Sequence, residues 1–500
     1  MPILSYLIWL PIAAAILLAF FPNRAETAIK GWGLFVSTAV FILSLGLLRG
    51  WEDGRAGFQF VEDKAWIPQW GIHYSLGVDG ISLWLVLLTT LLTPLIFLAG
   101  WNSIHKHPKE YVIAFLIMET AMIGAFVAVD LILFYIFFEL MLLPMYLVIG
   151  VWGGTRRVYA AIKFFLFTIA GSLLMLLAII YLGFQAYHQT GIVTFNIIDL
   201  YGTELLPRAQ ALLFFAFSLA FAIKVPLFPL HTWLPDAHVE APTGGSIILA
   251  GVMLKMGTYG FLRFVLPFFP QSSVRWSSLL ITLSVIGIIY GALVAWVQPD
   301  MKKLVAYSSV SHLGFCVLGI FAMTQTAIEG SILQMVNHGL STGALFLLVG
   351  VIYERRHTRL LADYGGLGKT MPVYTVFFVI AVLSSVGLPG LNGFVGEFLI
   401  LAAIYLLWLV QKVFFGPITN EENRNVPDIA WNEIAAMIPL VVLMVWIGVH
   451  PTTFLKKMEP SVQHLMTVMS GETGGKVMVA EESGRPARPP ASGETHGGAQ

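Results

Sequence analysis

Residues 211–235 read ALLFFAFSLAFAIKVPLFPLHTWLP, an apolar run that ends in a lysine and is followed at once by prolines. The lysine is Lys224, and the prolines are Pro226, Pro229 and Pro235. An ammonium group is costly in hydrocarbon unless it faces other protein or a wet cavity. Prolines free backbone polar groups in a membrane helix, which is tolerated where protein or water binds those groups again. The stretch therefore predicts a broken membrane helix with a functional site at the break.

The composition is that of a polytopic membrane protein. Hydrophobic residues make up 57% of the 500 residues and charged residues 11%, whereas soluble domains carry roughly 25% charged residues. The formal net charge is zero, so no nucleic-acid partner is predicted. A single cysteine, Cys316, excludes a disulfide framework and a cysteine-ligated iron–sulfur cluster within the chain. The amino-terminal segment lacks the features of a cleaved secretory signal, so we expect it to remain as a helix.

Apolar stretches long enough to cross a bilayer recur along the chain. They predict an all-α polytopic membrane protein with about 13–14 transmembrane helices. The predicted spans lie near 3–21, 30–48, 78–100, 111–129, 131–151, 158–184, 209–228, 243–266, 277–297, 302–323, 327–353, 373–415 and 434–450. The 373–415 stretch is too long for one crossing. Because Gly387, Pro389, Gly390 and Gly393 interrupt it, a second broken helix is predicted there.

The connections between the spans predict an orientation. Lys and Arg are more frequent in the loops that follow odd-numbered spans than in the alternate loops, among which we count Arg263. Basic loops stay cytoplasmic, so the N-terminus is predicted on the periplasmic side.

Two segments outside the spans also have recognisable patterns. Alternating polar and apolar residues within 49–77 predict a short strand or hairpin at the outer surface. Residues 452–470 read as a surface-lying amphipathic helix, and 471–500 are predicted to be disordered.

The two predicted breaks form a pair. The first, Lys224–Pro235, carries a base, and the second, Gly387–Glu397, carries an acid. An odd number of spans separates them, so equivalent helices would run in opposite directions, as in inverted repeats with a site near the midplane. The alternative is that proline and glycine only kink packed helices.

The chain is predicted to have five parts. They are N-terminal helices at 1–110, a first repeat at 111–270, a second repeat at 271–415, a C-terminal span and amphipathic helix at 416–470, and the tail at 471–500.

Four ionisable residues stand inside or beside apolar stretches, and we predict that they form a proton relay: Glu139, Lys224, Lys255 and Glu397. A buried acid or base changes protonation readily when an opposite charge approaches or withdraws. Glu139 and Lys224 are the predicted switchable pair, and Lys255 is the next station. The alternative is a set of static ion pairs that fix the register of the helices.

Four histidines are predicted to support the same polar axis. His231 and His238 bracket the first break, while His312 and His338 lie within spans and could continue a hydrogen-bonded file past Lys255. For His312 and His338, an equally good alternative is a structural histidine whose hydrogen bonds are satisfied within the core. His231 and His238 lack an evident third ligand, so no metal site is predicted. The sequence also lacks a dinucleotide fingerprint and a haem motif, so any redox chemistry must lie in other chains.

Four segments resemble one known family. They are FFELMLLPMY at 137–146, KVPLFPLHTWLPDAHVEAPTGGS at 224–246, YSSVSHLG at 307–314 and GFVGEFL at 393–399. They resemble the subunit M family of bacterial NADH–quinone oxidoreductase, respiratory complex I, over residues 1–460. The resemblance implies an antiporter-like, proton-pumping subunit in the inner membrane, with two inverted five-helix repeats. It places Glu139 and Lys224 as the switchable pair, Lys255 as the central relay and Glu397 as the exit-side acid.

The resemblance also implies partners and leaves alternatives. Neighbouring membrane subunits would include the antiporter-like subunits L and N, and NADH, FMN, iron–sulfur clusters and quinone would bind partner subunits rather than this chain. Subunits L and N and cation/proton antiporter subunits of the Mrp type are similar but usually have lysine where Glu397 stands. An antiporter-like subunit linked to a membrane-bound hydrogenase is a further alternative. A membrane scaffold is the third reading. After Leu401 the sequence departs from the family pattern. About 20 residues, the length of one transmembrane helix, are absent there.

Overall fold

The computed structural model describes residues 2–396, 413, 423–424 and 426–470. Two strands, β1 (Gln59–Ile67) and β2 (Ile72–Val78), form an antiparallel hairpin. The helices described are α1 (Ile3–Ala19), α2 (Glu26–Arg49), α3 (Leu83–Ala99), α4 (Pro108–Val127), α5 (Leu131–Leu140), α6 (Leu142–Trp152), α7 (Arg157–Thr190), α8 (Ile197–Tyr201), α9 (Pro207–Lys224), α10 (Trp233–Glu240), α11 (Thr243–Ile248), α12 (Lys255–Gly260), α13 (Leu266–Phe268), α14 (Pro270–Trp296), α15 (Met301–Phe321), α16 (Gln325–Arg356), α17 (Leu367–Thr370), α18 (Pro372–Val386), α19 (Asn392–Gly396), α20 (Trp431–Val449) and α21 (Thr452–Ser470).

The predicted fold class is confirmed. Counting α5 with α6, and 243–268 as one span, ten helical segments of the described chain are long and apolar enough to cross a bilayer. Three shorter apolar helices, α1, α3 and α18, account for the remaining predicted spans. The 243–268 span and α16 are buried along their whole apolar windows, whereas α2, α7 and α14 leave more than half of theirs unburied. The two fully buried helices therefore form the centre of the molecule, where a polar path is shielded from lipid.

The first predicted break lies between α9 and α10. Helix α9 ends at Lys224, and the residues up to Thr232 form turns. Pro226 and Pro229 cannot donate backbone hydrogen bonds, so carbonyl groups at the end of α9 need other donors. The indole Nε1 of Trp233 donates to the Ile223 carbonyl at 2.9 Å. A buried aromatic side chain thus stabilises the broken helix end from the next helix.

The second predicted break lies between α18 and α19. Gly387 and Gly390 have φ values of +80° and +91°, a left-handed conformation that glycine adopts without steric cost. Asn392, the first residue of α19, is paired with Asn337 of α16: each side-chain amide donates to the other's backbone carbonyl, at 2.9 and 3.3 Å. Glu397, the apparent deletion after Leu401 and the predicted disordered tail lie outside the described residues.

Two predicted spans contain irregularities that the sequence pattern did not indicate. The span predicted at 131–151 is divided at Met141 into α5 and α6, three residues before Pro144, which has no N–H for the helical ladder. The span predicted at 243–266 contains two π turns, Leu249–Met253 and Phe261–Val265. Such turns occur frequently at functional sites. They flank α12 and therefore Lys255.

The structure contains a hairpin and a helix at the two positions where they were predicted. The hairpin lies within the predicted 49–77 loop, and its Glu62 carboxylate accepts a hydrogen bond from the backbone N–H of Leu4 at 2.8 Å, which ties the start of α1 to the hairpin. Residues 452–470 form α21, which buries one apolar face that includes Phe454. The indole of Trp84 packs on Phe454, with ring centroids 4.5 Å apart. Helix α21 is thus attached to the side of the molecule that carries the hairpin, called the hairpin side below.

The close contact of α21 with Gly80 gives a stability prediction. A Cβ at this position would lie 2.2 Å from the Lys457 carbonyl oxygen. We expect Gly80→Ala to destabilise the docking of α21 by about 1–3 kcal/mol, because the backbone must move to relieve the overlap. Faster trypsin cleavage after Lys456 and Lys457 would report this change. The matched control is Gly330→Ala, where a Cβ meets nothing within 4 Å, and equal cleavage of the two variants would contradict the prediction.

Candidate functional site: a buried acid–base file

Lys224 is a buried amine without a hydrogen-bonding partner among the described residues. It is 1% exposed, and its Nζ finds no acceptor. Its nearest aromatic neighbours are Phe138, whose ring centroid lies 4.8 Å from Nζ, and Phe164, whose centroid lies 6.0 Å away. The face of an aromatic ring attracts a cation more weakly than a carboxylate does. The amine is therefore held loosely, at the residue that precedes the first break.

Glu139 is the predicted partner of Lys224, and the two side chains lie near each other without forming a direct ion pair. Glu139 is half-buried, and its Oε1 has no hydrogen-bond partner within the described part of the chain. Ser172 on α7 lies close to the Glu139 carboxyl group. Glu139 and Lys224 are close enough to interact electrostatically. The structure thus brings the predicted pair together in an open arrangement.

Lys255 stands at the centre of the molecule. It is completely buried, and its Nζ donates to the Ala250 carbonyl. The same nitrogen lies 2.7 Å from Nδ1 of His338 on α16. Because Nδ1 accepts a hydrogen bond only when it carries no proton, this contact is one along which a proton can pass. The predicted adjacency of Lys255 and His338 is therefore present in the structure.

The file continues from α16 to α15. The rings of His338 and His312 are 5.8 Å apart, centroid to centroid. His338 Nε2 has no hydrogen-bond partner among residues that the structure describes. Lys255, His338 and His312 therefore form a continuous row across three helices. Glu397, the last residue of the predicted relay, lies outside the described residues.

The histidines of the first break have different surroundings. His238 is completely buried and stacks on Phe346, with centroids 4.5 Å apart, and neither of its ring nitrogens has a partner in the described chain. The ring of His231 contacts Phe228 and Tyr290, at centroid distances of 5.7 and 5.0 Å. No group of three metal-binding side chains was found among the described residues. Nδ1 of His231 likewise has no hydrogen-bond partner within the described residues.

Several polar groups of the site were missed by sequence reasoning. Ser172 contacts Glu139 from another helix, and Lys302 donates to the Ala241 carbonyl just after α10. Lys163 of α7 forms an ion pair with Asp236 at 2.7 Å, which fixes α10 beside α7. Charged residues at the ends of apolar runs resemble loop residues in a sequence. Only a comparison of burial across helices could have identified them.

One of our sequence assignments is wrong. Arg263 was counted among the loop residues, but it lies inside the fully buried 243–268 span, in the second π turn, and is 6% exposed. Its Nη2 forms an ion pair with Asp79 at 2.6 Å. A lone arginine in an apolar run was the available signal, because residue 263 lies within the span predicted at 243–266. Its removal takes a positive charge from the alternate loops, so the excess of Lys and Arg in the loops that follow odd-numbered spans becomes larger.

Comparisons with known proteins agree with this architecture. A family model described as NADH:quinone oxidoreductase/Mrp antiporter, TM, matches residues 128–420. A second model, NADH-ubiquinone oxidoreductase chain 4, amino terminus, matches residues 58–129. The chain is 46% identical to NADH-quinone oxidoreductase subunit M of Rhodobacter capsulatus, over 94% of this chain and 98% of that relative.

Solved structures show the same relationship. A chain in the structure of respiratory complex I from Thermus thermophilus with bound NADH superimposes with a TM-score of 0.84 and 32% identity, covering 94% of this chain and 100% of that one. A chain of the Mrp complex from Dietzia sp. superimposes with a TM-score of 0.77 at 23% identity, covering 93% of this chain and 52% of that one, and shares the fold. The chain therefore belongs to the NADH-quinone oxidoreductase subunit M family, the proton-translocating membrane subunits of complex I.

Proposed function

We propose that this subunit moves protons through the file of buried acids, amines and histidines described above. Glu139 and Lys224 form the switchable pair, Lys255 is the central station, and His338 and His312 continue the path towards Glu397, the exit-side acid. His231 and His238 support the path at the first break through hydrogen bonds to water. The observation that carries the proposal is the open Glu139–Lys224 pair beside a broken helix.

The energy needed for such a switch is available from a small movement. Opposite unit charges about 4 Å apart attract each other by roughly 4 kcal/mol at an effective dielectric constant of about 20, and doubling the distance halves this attraction. The difference of roughly 2 kcal/mol exceeds the 1.4 kcal/mol that corresponds to a tenfold change in a proton equilibrium. A shift of a few ångströms at the first break therefore changes the proton occupancy of the pair. The loose hold of Phe138 on Lys224 supports such a movement.

The wider context of the proposal follows the family. Quinone reduction in other subunits would drive the movement, and NADH, FMN, iron–sulfur clusters and quinone would bind those subunits. The antiporter-like subunits L and N are the proposed neighbours in the membrane arm. We place the chain in the inner membrane with a periplasmic N-terminus, and we assign the two inverted repeats to 111–270 and 271–415. An Mrp-type antiporter is the weaker reading, because the chain is 46% identical to a subunit M and 23% identical to a chain of the Mrp complex.

Glu139→Gln tests the proposal, because glutamine has nearly the same shape but carries no titratable proton. We expect NADH-driven acidification by the reconstituted complex to fall at least about tenfold, consistent with loss of an acid–base group. Glu139→Asp retains the acid and should retain part of the activity. The measurement is the pH change in liposomes that contain equal amounts of assembled complex.

The matched control is Glu110→Gln. This residue begins α4 at an exposed position, outside the file, and its replacement should leave pumping unchanged. If Glu139→Gln pumped as well as the Glu110 variant, the charges would only orient helices. These residues would then have only a structural role, as in a membrane scaffold, and the proposed relay would be wrong.

A further inference from the structure

The end of α10, the short helix after the first break, is bound by several other segments of the chain. The last four carbonyl groups of a helix have no partner within the helix, and in α10 all four accept hydrogen bonds from outside it. The donors are the Ser246 hydroxyl to the His238 carbonyl at 3.1 Å, Arg359 Nη1 to the Val239 carbonyl at 2.6 Å, the Gly154 N–H to the Glu240 carbonyl at 2.9 Å, and Lys302 Nζ to the Ala241 carbonyl. We call this set of contacts the α10 junction.

Two of the donors are cations from the second predicted repeat. Lys302 is buried near the start of α15, and Arg359 lies in the connection after α16. Positive charge is favourable at the C-terminal end of a helix, and hydrogen bonds from cations are stronger than those between neutral groups. Arg359 Nε also forms an ion pair with Asp300 at 3.3 Å, and the Arg359 carbonyl accepts from the Met301 N–H at 2.9 Å. The arginine therefore binds the start of α15 and the end of α10 together.

The α10 junction lies at the end of the molecule opposite the hairpin side. Helix α4 begins beside it, where Tyr111 lies next to Gly244. The same helix ends just before Ala128, which pairs with Leu76 of β2. The connections that meet at the junction follow odd-numbered predicted spans, whose loops carry the excess of Lys and Arg. The junction therefore links the two predicted repeats at the basic side of the molecule.

The other end of α10 is attached to the surroundings of Lys224. Trp233 begins α10, and its indole donates to the carbonyl of Ile223, the residue before Lys224. The Trp233 ring also packs on Phe164, with centroids 5.4 Å apart, and Phe164 is one of the two rings beside the Lys224 amine. Between these two ends lie only the eight residues of α10, a length of about 12 Å. A displacement of the junction therefore moves groups that contact Lys224.

We propose that Arg359 and Lys302 are positioning residues for Lys224, on which they act through α10. They fix where α10 ends, and Trp233 transmits that position to the separation between the Lys224 amine and the Glu139 carboxyl group. The second predicted repeat thereby adjusts the proton affinity of the switchable pair in the first. The inference rests on the proposed function, because it requires that this pair exchanges protons. It adds the residues that connect the pair to the other repeat.

Hydrogen–deuterium exchange of the backbone amides of residues 225–234 in the assembled complex tests the attachment. We expect Arg359→Gln to accelerate this exchange at least about tenfold, the effect of one lost hydrogen bond to a charged group. Arg359→Lys can still donate to the Val239 carbonyl and should restore most of the protection. The matched control is Arg156→Gln, because this exposed guanidinium lies over the Tyr159 ring, 4.8 Å from its centroid, rather than on α10. Unchanged exchange in Arg359→Gln, or equal acceleration in the control, would overturn the inference.

Lys302→Met is a second, independent variant. It removes the other cation from the α10 junction and should also accelerate exchange over residues 225–234. Lys303→Met makes the same chemical change at the adjacent, half-buried position and should not. If Arg359→Gln does not assemble, the two lysine variants decide the question, and equal exchange in both would contradict the proposal.

Pumping per assembled complex gives the functional measurement. Arg359→Gln should lower NADH-driven acidification about threefold to tenfold, in the range for residues that modulate a coupling without touching the reacting group, and Arg359→Lys should recover it. Trp233→Phe keeps an aromatic ring but loses the indole N–H, so it should have a similar effect. Because both residues act along one connection, the double variant should pump no worse than the more defective single variant. Losses that multiply would show separate actions and would refute the connection.

The failure of this inference can be distinguished from the failure of the relay. Amide exchange does not depend on proton transfer, whereas the relay is tested by Glu139→Gln. If Glu139→Gln pumped normally, the relay would be wrong, and faster exchange in Arg359→Gln would still support the attachment of α10. If Glu139→Gln lost pumping while Arg359→Gln exchanged faster but pumped normally, the relay would stand and the positioning role would be disproved.

Discussion

Lys224→Ala is expected to reduce NADH-driven proton pumping by the assembled complex on the order of 100-fold, the scale of a lost acid–base group. The amine is the buried base at the first break, and it is the cation that interacts electrostatically with Glu139. Its removal also leaves the Glu139 carboxyl group without a cation nearby. NADH oxidation with a water-soluble electron acceptor should be unchanged, because that reaction does not require the membrane subunit.

Lys224→Arg distinguishes a proton carrier from a fixed cation. Arginine keeps the positive charge but does not release its proton. If Lys224 exchanges protons, the arginine variant should be nearly as defective as the alanine variant. Restoration of pumping by arginine would mean that only the charge is needed, and the switchable pair would have to be abandoned.

Lys255→Met is expected to abolish pumping while leaving the stability of the subunit almost unchanged. Methionine fills most of the space of the lysine side chain, and it removes the cost of burying an ammonium group. The loss of the hydrogen bond to His338 opposes this gain by about 1–3 kcal/mol. The two effects are similar in size, so the thermal midpoint should shift little. Pumping and thermal stability are measured on the same preparation.

The control for Lys255→Met is Lys303→Met, which makes the same chemical change at a half-buried position near the start of α15. Pumping should survive this change. A large loss of stability in Lys255→Met would indicate that the lysine is a structural support. Retained pumping with normal stability would remove Lys255 from the relay.

Local chemistry explains which parts of the fold were predictable from sequence. Apolar length specifies a span without reference to its neighbours, so each predicted crossing of the described chain corresponds to a helix. Proline and glycine act on their own backbone, so both breaks were placed correctly from Pro226 and Gly387. The charges beside the breaks were identified because an ionisable residue within a membrane-spanning apolar run usually has a functional role.

Features that depend on contacts between helices could not be predicted. The sequence did not indicate that Phe138 would lie beneath the Lys224 amine or that Ser172 would contact Glu139. Nor did the sequence indicate that Asp79, which lies before α3, would pair with Arg263. The π turns beside Lys255 have no distinct sequence pattern. The sequence predicted that Lys255 and His338 belong to one file, but their direct contact depends on how α12 and α16 pack.

The paired amides of Asn337 and Asn392 have a mechanical consequence. Asn337 immediately precedes His338, the hydrogen-bonding partner of Lys255. Any displacement of α19 strains the same helical turn of α16 that holds the imidazole. A motion of α19 would therefore be transmitted to the Lys255–His338 contact, which joins the 243–268 span to α16.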